Sequence, residues 1–434
     1  MQTAVPSYIP AFQRYQPAVV DALGRIERAR GIIDSAPILP AQEDILRRDA
    51  RAGSVHYSNL IEGNELPMIE ALRAVEGELE PTEKSKLELV NYVEALKFIE
   101  HRHREGSIIY TPEFIKELHG VLSKGLGRKT TDGKGFQPEH EGDWRTGEVV
   151  VADAIAVYHR APPQPEVDRL MRERLDWLER KRLSDEYPIP ILAGVAHFEV
   201  AEVHPFADYN GRAARLFATA IFFRENFVKR QLFSPERYYA EDRDAYIEAL
   251  RAIKRARNLN GWLAYYVKGL AEEFERVATR VEELNRFTRS LSLPVQLSAV
   301  QERAVAELTT GASAELRVGD FTKAAGVSRD RASKELNELA NMGILRAEGA
   351  TRNRRFILRQ PKRPSGHGMQ GRPRTWDEAR VRSELQTLTA KLGRWPTRKE
   401  FEAERKMGLY VAMSRLGGIA RWRAEFTNSA QRQN

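Results

Sequence analysis

At 434 residues the chain is too long for a single compact core, so two to four domains are expected. It has no cysteine, which excludes disulfides and thiolate metal sites and fits a reducing, cytoplasmic setting; no apolar run approaches the ~20 residues of a membrane helix, and MQTAVPSYIPAFQRYQ lacks the basic-then-apolar order of a secretion signal. The net charge of +8 is unevenly placed: from Pro361 onward 16 Lys+Arg face 7 Asp+Glu, whereas the preceding 360 residues carry 53 basic and 54 acidic groups, so the tail rather than the body is built to meet a polyanion.

In chain order, most of the first 290 residues have apolar positions at three- and four-residue spacing, which predicts helices over 87–101, 111–125, 164–181, 191–203, 212–226, 241–256 and 258–288. Thr111 and Pro112 supply an N-cap and first-turn pair. A Gly/Asp-rich interruption at 127–143 precedes TGEVVVADAIAVYH, whose β-branched residues around a short turn predict a hairpin, the one strong strand signal in this part. From Pro294 the pattern becomes helix, then helix–turn–helix with Ala332, Leu336 and Leu339 as the apolar stripe, then two short strands around a basic turn; that order predicts a winged helix-turn-helix over 294–360. A basic Gly/Pro-rich linker follows (361–375), and a small helical module occupies 376–434. The expected fold is mainly α: a helical bundle with a hairpin flap, a winged helix-turn-helix and a C-terminal module.

The densest polar chemistry lies in HPFADYNGRAAR, 204–215, directly before the apolar helix LFATAIFFREN. Asn210 is a candidate helix cap and Gly211 lets backbone approach a ligand. Unpaired amides at the helix N-terminus favour an anion, and Arg212 and Arg215, three apart, lean over the same turn. Twin guanidiniums specify polyphosphate, and Asp208 would repel it unless a divalent cation, Mg²⁺, intervened. His204 has the titration range of a base near neutral pH. Together these suit transfer of a phosphorus-containing group to a hydroxyl. His197, seven residues earlier, is expected to be a hydrogen-bonded core histidine, since no third nearby ligand completes a metal site.

The stretch resembles the Fic-family signature His-Pro-Phe-x-Asp/Glu-Gly-Asn-Gly-Arg-x-x-Arg. The resemblance, covering roughly 40–290, implies the Fic helical fold (core 86–290) and transfer of AMP from ATP to a protein Ser, Thr or Tyr. It implies His204 as base, Asp208 as Mg²⁺ ligand, Asn210 and the amides up to Gly211 on phosphate oxygens, Arg212 on the diphosphate, Arg215 on the γ-phosphate, and Phe206 as loop anchor. Tyr209 stands where the family has Gly or Ala, which bears on nucleotide preference. GDWRTGEVVV resembles the stretch entering the family's flap, so Gly147, Glu148, Val149, Val150 and Val151 are candidates to dock an extended target segment.

Upstream, Ser58 and Glu62 in SVHYSNLIEGNEL share a helix face that Gly63 terminates. SNLIEG resembles the inhibitory motif of one Fic class, which places an inhibitory helix within 1–85. It implies that Glu62 pairs with Arg215 in the γ-phosphate's place while Ser58 holds the Glu; the same Glu62 could instead position water for removal of AMP.

In the C-terminal third, Arg329, Arg331 and Lys334 lie opposite the apolar stripe, and Arg352, Arg354 and Arg355 crowd the basic turn. The stretch 393–426 resembles small helical repeats appended to some homing endonucleases, which implies DNA contact through Arg394, Arg398, Lys399, Arg415 and Arg421. The expected partners are therefore ATP, a target protein, DNA and, as a further candidate, a second copy of this chain. The alternative function is a DNA-binding regulator whose Fic body senses nucleotide or is catalytically silent.

Overall fold

The computed structural model describes residues 15–126, 128–129, 136–137, 141–152, 157–256, 258–291, 297–350, 354–359 and 378–392, with further positions between 394 and 423. The chain divides into two compact units, Met1–Pro361 and Lys362–Asn434.

The first unit opens with α1 (Pro17–Ser35), α2 (Pro40–Ile61), α3 (Met68–Glu76), α4 (Lys84–Arg104) and α5 (Pro112–Ser123). The Thr111 hydroxyl caps α5 by accepting from the Phe114 amide at 3.3 Å, with Pro112 in the first turn where a missing N–H costs nothing. Two short antiparallel ladders follow: β1 (Arg128–Lys129) with β2 (Phe136–Gln137), and β3 (Val150–Ala152) with β4 (Val157–Arg160). The first lies inside the Gly/Asp-rich interruption, where the sequence predicts no strand. The second is the expected hairpin, with Val150 opposite Arg160 and Val151 opposite His159.

After α6 (Val167–Leu183) come α7 (Ile189–Val203) and α8 (Asn210–Arg224). Both are apolar almost all round and buried almost all round, as a central helix must be. This antiparallel pair is the axle of the unit, and its connecting loop, 204–209, is the polar signature. A Cβ on Gly194 of α7 would meet Tyr266 Cδ1 at 2.8 Å, so only glycine admits the ring. The helix predicted over 241–256 is α10 (Arg243–Ala256); a short α9 (Glu236–Glu241) precedes it, and the long α11 (Asn260–Ser290) follows.

The chain then forms α12 (Ala299–Thr309), β5 (Leu316–Arg317), α13 (Val318–Ala325), α14 (Arg329–Asn341), β6 (Leu345–Glu348) and β7 (Arg355–Leu358). Ser298 caps α12 in a reciprocal box with Gln301, and Ser328 caps α14. The strands number three rather than the expected two, because β5 pairs with β7 and gives the order β5-β7-β6. Ala332, Leu336 and Leu339 are buried around Phe321 and Phe356 in a core of their own. That core is joined to the helical body through Gln42 of α2, whose buried amide donates to the hydroxyls of Thr288 (2.9 Å) and Thr309 (2.8 Å). The second unit contains α15 (Glu378–Leu392) and a small core of Val381, Leu385, Leu388, Phe401, Leu409, Met413 and Trp422. Among the described residues no helix is long and apolar enough to cross a membrane.

Candidate active site

The loop between α7 and α8 is held open by two left-handed residues that are not glycine: His204 (φ 51) and Tyr209 (φ 61). Such backbone costs about 1–2 kcal/mol for a side-chain-bearing residue, so the surroundings must hold it. His204 closes α7 as its C-cap, and its Nδ1–H donates to the Ala201 carbonyl at 3.2 Å, which makes Nε2 the basic nitrogen of the ring. The ring is half-buried.

Asn210 does not cap α8. Tyr209 occupies the cap position, and Asn210 is the first helical residue; its side chain accepts from the Phe206 amide (2.9 Å) and donates to the Phe206 carbonyl (2.8 Å). It therefore fixes the loop's shape rather than offering its amide to a ligand. Phe206 is fully buried and stacks on His119, ring centroids 3.6 Å apart and planes 5° apart.

His119 and Arg145 hold this loop, and sequence reasoning missed both. His119 Nε2–H donates to the Asp208 carbonyl (3.2 Å), and its Nδ1 accepts from the Gly142 amide (3.3 Å). Burial pushes its pKa down to about 4, so it is neutral and holds one tautomer. Gly142 must be glycine: its φ is +84, and a Cβ would stand 2.7 Å from the Lys116 carbonyl. Arg145, also buried, donates to the carbonyls of His204 (2.9 Å), Gly147 (2.7 Å) and Pro162, tying the base of the β3–β4 hairpin to the His204 loop. The only available signals were the GDWR stretch and a histidine on an apolar helix face, and neither names its partner.

The hairpin candidates divide: Gly147 and Glu148 are exposed and Val149 half-buried, Val149's carbonyl accepting from the Ala161 amide at 3.2 Å. Val150 and Val151 are described by their backbone pairing alone.

Arg215 and Arg212 both reach α2 but meet different groups. Arg215, whose side chain is 1 % exposed, donates through Nη2 to Glu62 Oε1 at 2.7 Å and to the Ser58 carbonyl at 3.0 Å. Its Nε donates to Ser58 Oγ at 2.8 Å and its Nη1 to the Tyr246 hydroxyl at 3.4 Å. Ser58 thus holds the arginine, not the glutamate. Arg243 Nε similarly takes the Ile61 carbonyl at 2.7 Å, so two cations satisfy orphan carbonyls at the negative end of α2. Glu62 is the C-cap of α2, and Gly63 (φ +89) turns the chain away. The Glu62 side chain remains 32 % exposed, at the mouth of the site. Burial acts to raise its pKa, but Arg215 and Arg212 outweigh it, and the carboxyl is held below its ordinary range. A Cβ on Gly211 would stand 2.4 Å from Glu62 Oε1: the carboxylate lies directly against the first turn of α8, where the expected anion site is.

Arg212 is turned elsewhere. Its Nη1 donates to Asn59 Oδ1 at 2.9 Å and lies 3.4 Å from Glu88 Oε2, and its guanidinium sits over the Tyr209 ring at 4.2 Å. The Tyr209 hydroxyl donates to Glu88 Oε1 at 3.4 Å and Asn64 donates to Glu88 Oε2 at 2.9 Å. The departure from glycine at 209 is thereby explained: the ring is buried under Arg212, and that packing offsets its left-handed backbone.

Asp208 is exposed at the entrance, with Oδ1 accepting the Tyr209 amide at 2.7 Å. Among the described residues no three His, Asp or Glu side chains form a metal cage. A single carboxylate beside an anion-binding turn fits a cation that completes its shell from phosphate and water, as Mg²⁺ does, and does not fit a zinc-type site. His197, as expected, is a core residue, 2.9 Å from the Tyr246 hydroxyl.

Of the C-terminal cations, Arg329, Arg331 and Lys334 are exposed on α14, with Arg331 3.8 Å from Glu335 and Lys334 3.9 Å from Glu338. Arg354 lies over the Phe356 ring, and Arg355 pairs with Glu315 and Glu348. Arg394 pairs with Glu400 at 2.6 Å and Arg421 with Glu378 at 2.8 Å. Arg352, Arg398, Lys399 and Arg415 lie outside the described residues.

Residues 109–222, which run from α5 through the hairpin to α8, match the Fic/DOC family. The chain therefore carries a Fic/DOC-family domain. Its curated relatives include two proteins named protein adenylyltransferase Fic. That of Nematostella vectensis is 30 % identical over 213 residues, 48 % of this chain and 45 % of that one; that of Culex quinquefasciatus is 24 % identical over 284 residues, 64 % and 50 %. The chain thus spans about half the length of the curated relatives it matches. The fold of a Fic family protein from Desulfovibrio desulfuricans, known from its crystal structure, superposes with a TM-score of 0.54 at 21 % identity, covering 82 % of this chain and 98 % of that one.

Proposed function

We propose that this protein transfers AMP from ATP to a Ser, Thr or Tyr hydroxyl of a target protein, and that Glu62 holds the activity down by occupying Arg215. The observation that carries the proposal is the α7–α8 loop, where a base-bearing turn stands beside a helix N-terminus whose arginine is already engaged by a displaceable carboxylate. In the transfer, the target hydroxyl oxygen attacks the α-phosphorus, the bond to the β-phosphate oxygen breaks, and pyrophosphate leaves. The hydroxyl proton passes to His204 Nε2. Amides of the first α8 turn, opened by Gly211, take phosphate oxygens. Arg215, once free of Glu62, takes the terminal phosphate. Mg²⁺ bound through Asp208 would neutralise phosphate charge. The hairpin beyond Gly147 offers a strand edge to an extended target segment, and Arg145 couples that edge to the His204 loop.

The reading of the C-terminal third as DNA-directed rests on two supports: the succession α12–β5–α13–α14–β6–β7, the order of a winged helix-turn-helix, and the charge excess beyond Pro361.

The test is incubation of the Glu62→Gly protein with α-labelled ATP and cell lysate. Label on protein, lost in Glu62→Gly/His204→Ala by about a hundred-fold or more, is expected for removal of a general base. An unlabelled Glu62→Gly protein that still shifts DNA would replace this proposal with the regulator.

A further inference from the structure

A cavity of about 440 Å³ lies away from the α8 entrance, between the N-terminal half of α2, α3, α11 and the turn after α12. Its size is within the range of small-molecule sites. Its lining mixes two kinds of side chain: apolar ones, among them Leu72, Leu232, Val277 and Val281, and four guanidiniums, Arg48, Arg237, Arg276 and Arg280, with two carboxylates, Asp49 and Glu273. We propose that this cavity is a binding site for a small organic phosphate, its ring or aliphatic body against the apolar side chains and its phosphate among the arginines.

Each of the four cations has an acidic partner, but only two of those partners, Asp49 and Glu273, line the cavity with them. Arg276 pairs with Glu273, which is almost fully buried and also accepts from the Ser234 amide at 3.3 Å. Arg280 reaches Asp49 at 3.3 Å and the Thr310 carbonyl at 3.3 Å, while Arg48 shares the same Asp49 at 3.0 Å and reaches Glu76, outside the lining, at 3.1 Å. One carboxylate therefore serves two arginines. Arg237 turns to Glu241, at 2.7 Å, which lies outside the cavity lining. Burial, with Arg237 and Arg280 close by, holds the Arg276 guanidinium below its ordinary range, as crowding by like charge must. The pairs of Arg48, Arg237 and Arg280 are partly exposed and weak, so a phosphate can compete for their donors, and arginine's planar fork suits its oxygens. Tyr57 of α2 adds an aromatic face at the lining. Nothing in this constellation touches His204, Asp208 or Arg215.

The probe is 1-naphthyl phosphate, with 1-naphthol and inorganic phosphate as half-ligands, added to the full-length protein and followed by probe fluorescence and calorimetry. Saturable binding is expected for the naphthyl phosphate, at least about ten-fold tighter than for either half. It should weaken about ten-fold in Arg280→Ala, the loss of one charge-assisted hydrogen bond. It should also fall in Ala312→Trp, a substitution on the exposed lip that fills the entrance without disturbing the core. Arg215→Ala should bind as wild type does. The proposal is overturned by absence of saturation up to about 10 mM probe, by affinity unchanged in both Arg280→Ala and Ala312→Trp, or by binding lost in Arg215→Ala. Melting temperatures of the variants, measured alongside, separate loss of the site from loss of the fold.

Discussion

Two sets of cations stand out in this molecule, and they live in opposite environments. Arg212 and Arg215, at the entrance of α8, are buried, each matched to a carboxylate and to hydrogen-bond acceptors from helices far away in sequence. Arg331, Lys334, Arg355 and Arg394, in the C-terminal third, are exposed and paired with acids a few residues along the chain or on an adjoining strand. The first kind fixes geometry, because breaking a buried pair strands a charge. The second kind shapes a field, because an exposed pair is worth little and rearranges freely. A buried arginine can therefore serve as part of a lock, whereas an exposed one can serve only as part of a sum.

The sharpest way to break this contrast is Arg212→Ala. It leaves Glu88 nearly buried, with the donors of Asn64 and Tyr209 and the more distant Lys84 ammonium (3.9 Å) as its remaining partners, and takes the guanidinium off the Tyr209 ring. A loss of about 3–5 kcal/mol in urea unfolding is expected. Adding Glu88→Gln should restore a large part of it. An Arg212→Ala protein as stable as wild type would put this arginine among the field-shaping cations.

Acid provides the next largest effect. His119 has its folded pKa lowered from 6.5 to about 4, so the native state binds fewer protons than the unfolded chain between those values. Stability is then full above about pH 6.5 and falls as pH drops toward 4, by about 3 kcal/mol from this residue. His197, also buried and held below its ordinary range, adds to the same trend. His119→Gln, followed by unfolding across this window, should flatten the profile. An unchanged slope removes His119 as the cause.

Glu62→Gly tests the lock itself. Releasing a charge-assisted contact worth about 1.5–3 kcal/mol raises labelling by roughly ten- to a hundred-fold. Arg215 keeps its bonds to Ser58 and Tyr246 in the variant, so the site stays formed. Because the folded pKa of Glu62 is lowered, the carboxylate and its pairing persist from neutral pH down past the ordinary value of 4.5 and are lost only as pH falls through the lowered one. The wild-type to variant ratio should thus be flat from about pH 6 to 8. A ratio that closes within that range would mean another group governs the lock.

Much of the site was legible because its parts are contiguous. Twelve residues of sequence hold the proposed base, the carboxylate, the helix entrance and both arginines, and the 3.6-residue period fixes α8 around them. Arg215 and Glu62 could be paired on motif resemblance, and the structure puts them 2.7 Å apart. What could not be read was anything set by packing across long separations. Helical spacing places Arg212 beside Arg215 but cannot say that Glu88, 124 positions away, claims one of them. Nor can it reveal that Asn210 spends both side-chain groups on Phe206, or that Ser58 serves Arg215 rather than Glu62. His119 and Arg145 were silent for the same reason: their partners are backbone carbonyls of a loop, and a carbonyl has no sequence signature. In the C-terminal third the chain pattern gave the helices and the hairpin, while β5, two residues long, lacked enough residues to show a period.

The smallest expected effect is the one that decides what the exposed cations are for. Glu335 and Glu338 stand beside Arg331 and Lys334 on α14 and also accept from Ser298 Oγ (2.9 Å) and Gln301 Nε2 (3.0 Å) at the start of α12; replacing both with Gln keeps an accepting oxygen at each, so unfolding should change by only about 1 kcal/mol. The same change raises the positive field of that face by two charges. If α14 meets a nucleic-acid backbone, affinity for duplex DNA should rise in Glu335→Gln/Glu338→Gln at low salt, and for both proteins it should fall steeply and linearly as log affinity against log salt. Binding that is flat between about 50 and 200 mM salt would show that no phosphates are being neutralised. In that case the excess charge beyond Pro361 and the paired cations of α14 would be surface solvation and nothing more, and the contrast with Arg212 and Arg215 would be one between a working site and an inert surface.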